Sequence, residues 1–261
     1  IIKAGGDPDY EGISGPHDFN GNGEPLKGSY AVLTFGDDNR ISDEAVRVTA
    51  EAPASSIVDL VPVGVEREGD GVLKIGSLLP ETGSLAFLGA PEFAGVEYAI
   101  SEINAAGGVL GAPVEYSQGD SGDTSTDTAT VTATRLLGEG VDAIVGPASS
   151  GVALTVIDQI SAAGVTLFSP ANTSPALSTY DDKGLYFRNA PPDGLQGAIV
   201  AGLVAAGPEA GWAEISLPLA ADWPARPRQK VDHAAGKPSL TRVRVLAHRP
   251  GADAGLPLTG A

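Results

Sequence analysis

The sequence predicts an α/β fold, a parallel sheet with helices on both faces over residues 71–212, preceded by a short β-hairpin segment. Two observations predict it. Short apolar runs alternate with helical patterns from Val72 to Ala206, and their connections are short, as in a sheet covered by crossover helices. Polar clusters also follow the apolar runs, at Pro80–Ser84, Asp120–Asp123, Pro147–Ser150 and Pro170–Thr173. In such sheets ligands sit beyond the carboxyl ends of the strands.

The elements follow from periodicity and punctuation. Val72–Leu79 is a largely apolar run, as expected of a buried parallel strand. Pro91–Ala106 is helical, with Phe93, Val96, Ile100 and Ile103 on one face and Gly107-Gly108 as its stop. Pro113–Ser117 is the second strand and Thr124–Leu137 the second helix, opened by Ser, Thr and Asp that can cap its amides. Asp142–Val145, Val165–Phe168 and Leu185–Arg188 are further strands, and Val152–Ala163 and Gly194–Ala206 further helices.

The flanks are less regular. Residues 1–44 are turn-rich, with one good strand at Ser29–Phe35, and read as a β-hairpin segment too small to fold alone. Asp18, Asn20, Asn22 and Gly23 match the first half of a calcium loop. The twelfth position is Ser29, where a glutamate is required, so the stretch reads as a hairpin turn. Residues 45–70 form a linker in which Val58–Val65 could add a strand. Residues 213–261 hold seven Lys and Arg against four acids, a net of +3, whereas residues 1–212 carry −20. Only Leu240–Leu246 alternates like a strand there, so this basic tail is left unassigned, as disordered or as the product of a frameshift.

Composition narrows the function. A net charge of −17 argues against nucleic acid and anionic membrane surfaces, both of which need Lys and Arg. There is no cysteine, hence no disulfide, thiolate metal site or Cys nucleophile. No run of about 18 apolar residues spans a membrane. The first residues show neither a basic n-region nor an apolar h-region, so no signal peptide is read in them.

Small hydroxyls and glycines dominate the strand-end loops, and helix N-termini beside them carry free N–H groups and partial positive charge. A carboxylate is the natural guest of such loops. The plainer reading is that each loop is an ordinary helix cap. Pro147-Ala-Ser-Ser-Gly151 departs from Gly-x-Ser-x-Gly at its first position, and His17, His233 and His248 lie outside the regular segment. An enzyme, a metal site and a cofactor are therefore not expected: no catalytic residue is assigned. Glu81, Asp120 and Asp123 read as a solvated acidic rim.

Leu73-Lys-Ile-Gly-Ser-Leu-Leu-Pro-Glu-Thr-Gly-Ser84, Phe93-Ala-Gly-Val96, Glu102-Ile-Asn-Ala-Ala-Gly-Gly-Val-Leu-Gly111, Gly140–Ser150, Gly164–Thr173 and Gly184-Leu-Tyr-Phe-Arg188 resemble the first lobe of branched-chain amino-acid (leucine/isoleucine/valine) substrate-binding proteins of ABC transporters. The resemblance covers about residues 71–210. It implies one lobe of a type I periplasmic-binding fold, a periplasmic or extracellular place, an amino acid as ligand and an ABC-transporter permease as partner. It also implies site roles. Ser150 or Ser149, with Thr173, would bind the α-carboxylate, and the Ala171 carbonyl would accept from the α-ammonium. Asn172 would supply backbone or a polar contact, and Phe87 or Leu88 would line the side-chain pocket. The alternative is a sensory or interaction module of the same fold.

Tyr10-Glu-Gly-Ile-Ser-Gly-Pro16, Asp18-Phe-Asn-x-x-Gly23 and Ser29-Tyr30 resemble the C-terminal end of the same family, displaced ahead of the first lobe. A fused preceding copy, a circular permutation and a damaged gene each account for this. The basic tail stands where the second lobe is expected, so that lobe reads as largely missing.

Overall fold

The computed structural model describes residues 11–12, 15–16, 18–32, 46–51, 65, 67–197, 212–221, 229–231, 237–244 and 259–260. The chain divides into two compact units, Ile1–Gly28 with Ala52–Gly194 and Ser29–Glu51 with Leu195–Ala261.

The first unit is built on a five-stranded parallel sheet. In chain order its elements are β1 (Lys74–Ser77), α1 (Ala86–Ala105), β2 (Glu115–Ser117), α2 (Thr128–Gly138), β3 (Ala143–Val145), α3 (Ser150–Ala162), β4 (Thr166–Ser169) and β5 (Tyr186–Arg188). The strand order is β2-β1-β3-β4-β5, and every pairing is parallel. The chain steps one way from β1 to β2 and the other way thereafter. Right-handed crossovers then place α1 on one face and α2 and α3 on the other.

Register sorts the side chains. Gly76, Ile144, Leu167 and Tyr186 are paired neighbours across β1, β3, β4 and β5 and share one face. That face packs against Ala133 and Leu136 of α2 and Val152, Val156, Ile157 and Ile160 of α3 in a buried core. Ser77, Val145, Phe168 and Phe187 are likewise paired and face the opposite way.

The predicted elements of 71–197 are present, with shifted ends. The largest shift is in α1, which starts at Ala86 and carries Pro91 inside it, whereas proline was expected to open the helix. Pro91 forgoes only the bond its missing N–H would make to Phe87, one turn from the helix start, so five residues can precede it. Of its predicted apolar face, Phe93 is buried, Val96 and Ile100 are half-buried, and Ile103 is exposed. Helix continues from Asp193 to residue 197; the rest of the predicted Gly194–Ala206 helix lies outside the described residues.

Within the first unit, residues 18–28 pack beside β4 and β5. Asn20 closes their turn, its side-chain oxygen accepting from the amides of Asn22 (2.9 Å) and Glu24 (3.1 Å), which is the hairpin turn expected there. Phe19 sits edge-on to Phe168 and Phe187, with ring centroids 5.9 and 5.6 Å away.

In the second unit, strand Val46–Glu51 lies between Lys27–Val32 and Thr259–Gly260. The expected strand at Ser29–Phe35 is therefore found two residues early, its last three positions lying outside the described residues. Its partner strand begins beyond the boundary expected at residue 44. Residues 58–64, where a strand was considered, are outside the described residues. The basic tail holds more strand than its pattern showed. Trp212–Ala221 pairs antiparallel with both Gln229–Val231 and Lys237–Arg244. Pro218 and Pro238 face each other in that pairing, and proline, which cannot donate to a ladder, argued against strands there.

Candidate functional site

The site begins at the carboxyl edge of the parallel sheet, where loops leave β1, β2, β3 and β4. Two acids hold the outer loops. Asp120 accepts from the amides of Glu81 (2.9 Å), Thr82 (3.1 Å) and Gly122 (2.8 Å) and from the Thr82 hydroxyl. Burial raises its carboxyl, but those bonds outweigh it and hold the group below the usual range. Asp123 accepts from the Ser125 hydroxyl and from the amides of Ser125 (2.9 Å) and Ser84 (3.1 Å), and these bonds lower its carboxyl too. Both acids are loop staples, ionised and engaged, rather than proton donors.

The inner loops interlock. After β3 the chain turns at Gly146, whose φ is 129° and where a Cβ would fall 2.0 Å from the Leu78 carbonyl oxygen. Only glycine lets the backbone pass β1 so closely. The Gly146–Pro147 peptide is cis. Ser169, the last residue of β4, donates to the Pro147 carbonyl (2.7 Å) and accepts from the amides of Ala171 (3.3 Å) and Asn172 (3.0 Å). Asn172 is fully buried. Its amide group donates to the carbonyls of Pro147 and Ala148, both at 2.9 Å, and its oxygen accepts from the Tyr186 hydroxyl at 3.0 Å. Burial raises the Tyr186 phenol well above its ordinary value, which keeps it a donor.

Ser149 caps α3, accepting from the Val152 amide at 3.4 Å. Ser150 opens the helix, and its Oγ accepts from the amides of Thr173 and Ser174, both at 3.3 Å. That leaves the Ser150 hydroxyl hydrogen to donate elsewhere. The amides of Ser150 and Gly151, the Ala171 carbonyl and the Thr173 hydroxyl have no hydrogen-bond partner among the described residues. These are the helix-start amides of α3, where the dipole is positive. Two N–H groups, two hydroxyls and a carbonyl are thus gathered on adjacent loops, a set that fits a carboxylate with an ammonium beside it.

Of the residues expected at the site, Ser149, Ser150, Ala171, Asn172 and Thr173 come together on these two loops. The Asn172 side chain, expected as an optional polar contact, is wholly engaged within the loops. Phe87 and Leu88 lie in the first turn of α1; Phe87 is exposed and Leu88 half-buried. No hydrogen bond or ring contact joins them to Ser150 or Thr173 among the described residues.

Sequence reasoning missed Arg188 and Glu24. Arg188 is fully buried at the end of β5. Its guanidinium donates to the carbonyls of Ser174 (2.8 Å) and Asn172 (3.4 Å), to Ser178 Oγ (2.9 Å) and to the Glu24 carboxylate. A charge closing an otherwise apolar strand was the available signal, but its partner lies 164 positions away.

The profile of the periplasmic binding protein family matches residues 72–211. The Leu/Ile/Val-binding protein homolog 3 of Brucella melitensis is 31% identical over 152 residues, covering 58% of this chain and 40% of that protein. The chemotactic signal transduction system substrate-binding protein BasB of Halobacterium salinarum is 34% identical over 135 residues, 50% of this chain and 33% of its own length. A crystal structure of the branched-chain amino-acid transporter substrate-binding protein LivJ of Streptococcus pneumoniae, in complex with isoleucine, is 35% identical, with a TM-score of 0.47 and coverage of 52% of this chain and 38% of that one. The chain spans 40% or less of the length of these relatives. Through residues 72–211, more than half of its length, this chain belongs to the periplasmic binding protein family.

Proposed function

We propose that residues 71–211 are a ligand-binding lobe of an extracytoplasmic solute-binding protein that delivers a branched-chain amino acid to an ABC-transporter permease. The observation that carries this reading is the Ser150–Thr173 junction, where Ser150 Oγ ties the two loops together and the Ser150 and Gly151 amides, the Thr173 hydroxyl and the Ala171 carbonyl have no partner among the described residues. In it, the α-carboxylate meets the Ser150 and Gly151 amides with the Ser150 and Thr173 hydroxyls, and Ser149 shapes the turn as the cap. The Ala171 carbonyl takes the ammonium, Asn172 holds the loops together, and Phe87 or Leu88 lines the side-chain pocket. The role is binding without turnover. The family and the names of the relatives support it.

The test is a titration of leucine, isoleucine and valine into the full chain, followed through the amide signals of residues 149–151 and 171–174. We expect saturable shifts with a dissociation constant of about 1 mM, because one lobe offers only part of a clamp that would otherwise reach about −8 kcal/mol. No shift at those amides in tens of millimolar ligand, with the protein folded, sinks the reading. A second reading, an amino-acid or amide sensor of the same fold, is favoured by the chemotactic relative. Genes for a permease and an ATPase beside this one decide for uptake, a signalling partner for sensing.

A further inference from the structure

Residues 18–28 lie outside the family match, yet one of their side chains, Glu24, pairs with the arginine that donates to the Asn172 and Ser174 carbonyls. The segment is locked to the outer edge of β5. The Arg188 amide donates to the Gly23 carbonyl at 2.9 Å. Gly23 has φ 68°, and a Cβ there would fall 2.1 Å from the Tyr186 carbonyl oxygen, so the two backbones meet at a distance only glycine permits. Phe19 wedges against Phe168 and Phe187 on one face of the sheet. Arg188, two residues on from Tyr186, belongs to the other face, and Glu24 reaches it there.

The side chains of Arg188 and Glu24 are 0% and 8% exposed. Removing the anion beside a guanidinium in that position leaves a buried charge uncompensated, which is strongly unfavourable. Arg188 Nη1 donates to the carbonyls of Asn172 and Ser174, which bracket Thr173, while Nε has no hydrogen-bond partner among the described residues. Thr173 is pinned again by its own backbone, its amide on Ser150 Oγ and its carbonyl on the Asp193 amide at 2.8 Å.

We propose that Glu24, acting through Arg188, is a positioning residue for the ligand loop Ala171–Ser174, so that the 18–28 segment sets the affinity of a site it does not touch. This rests on the reading of that loop as the ligand's carboxylate and ammonium cradle. Without the Glu24 charge, Arg188 must turn to another acceptor or to water, and it releases the carbonyls on both sides of Thr173. The loop then keeps its bonds to Ser150, Ser169 and Asp193 but loses the guanidinium that ties its Asn172 and Ser174 carbonyls together.

The experiment uses the full chain with Glu24→Gln and Glu24→Asp, leucine as the probe, and amide hydrogen exchange on the unliganded protein. Glu24→Gln is expected to weaken leucine binding by about tenfold, within the usual range of coupling between separate groups. It should also speed exchange at the Thr173 and Ser174 amides while the Ile157 and Ile160 amides of α3 are unmoved. Glu24→Asp keeps the charge and should recover part of both effects. A lowered melting temperature with unchanged leucine affinity and unchanged exchange at Thr173 and Ser174 overturns the proposal and leaves a structural ion pair. If the unaltered chain binds no leucine, the binding reading fails separately, and the exchange measurement still decides whether Glu24 orders the loop. If Glu24→Gln does not fold, Ser178→Ala removes one 2.9 Å bond from the same guanidinium. It should move the Thr173 and Ser174 exchange the same way by less, and no movement counts against the proposal.

Discussion

The two faces of the parallel sheet are made by the same strands but finished differently. On the α2/α3 face, Leu136, Ile144, Val156, Ile157, Ile160 and Leu167 are no more than 1% exposed. On the α1 face, Ile75, Leu79, Val145 and Phe168 with Val96 and Ile100 of α1 line a hollow of about 530 Å³. Glu92 and Asn189 border that hollow, and each has a buried side-chain oxygen without a hydrogen-bond partner among the described residues. Among the described residues, two helices cover one face and α1 the other. The hydrophobic contribution per residue must therefore differ between faces that look equally apolar in sequence, because it scales with area removed from water.

Large-to-small substitutions separate the two faces most strongly. Leu136→Ala on the closed face should cost about 3 kcal/mol in denaturant unfolding, since it leaves a cavity in packed surroundings. Ile100→Ala on the open face should cost about 1 kcal/mol, because its side chain is only half-buried. Equal losses would mean the two faces are equally packed.

Next in size is Tyr186→Phe on the closed face. It removes the donor to the Asn172 oxygen and strands that buried acceptor, a loss of about 1–2 kcal/mol. A neutral result would mean water serves Asn172 equally well.

Glu92 tests the open face through pH. Burial pushes its carboxyl from 4.5 up to about 7. The folded state therefore holds the proton more tightly than the unfolded chain. The resulting stability is present in full below 4.5, declines as pH rises and is lost above about 7. Glu92→Gln should flatten this slope and leave the variant about 1 kcal/mol more stable than the parent at pH 8, a figure reduced from the full linkage value because the residue is only half-buried. A parent whose stability does not fall between pH 4.5 and 7 refutes it.

The smallest effect is expected at Val131, 62% exposed on the outer side of α2. Val131→Lys should change stability by no more than about 0.5 kcal/mol. A larger loss would mean that the closed face extends around its helices.

Much of this was legible in the chain. The order of strands and helices follows from apolar runs of strand length, three-to-four spacing and the glycines between them. The loops carrying Ser149, Ser150 and Thr173 could be placed because polar residues following buried strands have no other place than the sheet edge. The missed contacts share a property: each joins distant parts of the chain. Asn172 looks like a loop residue with an available amide. Only the fold brings Pro147, Ala148 and Tyr186 around it. Of the tail strands, Lys237–Arg244 showed in part through the alternation from Leu240, and the others were missed because pairing between separate segments leaves little pattern in any one of them.

Hydrophobic period and turn chemistry are local, so the parallel α/β unit and the small, hydroxyl-rich character of its carboxyl edge can be read along the chain. Which face is more closely covered, and which polar atoms lack partners among the described residues, depends on the packed fold, as does the meeting of Glu24 with Arg188. A buried charge is governed by what surrounds it in space, and its neighbour here is 164 residues distant in the chain.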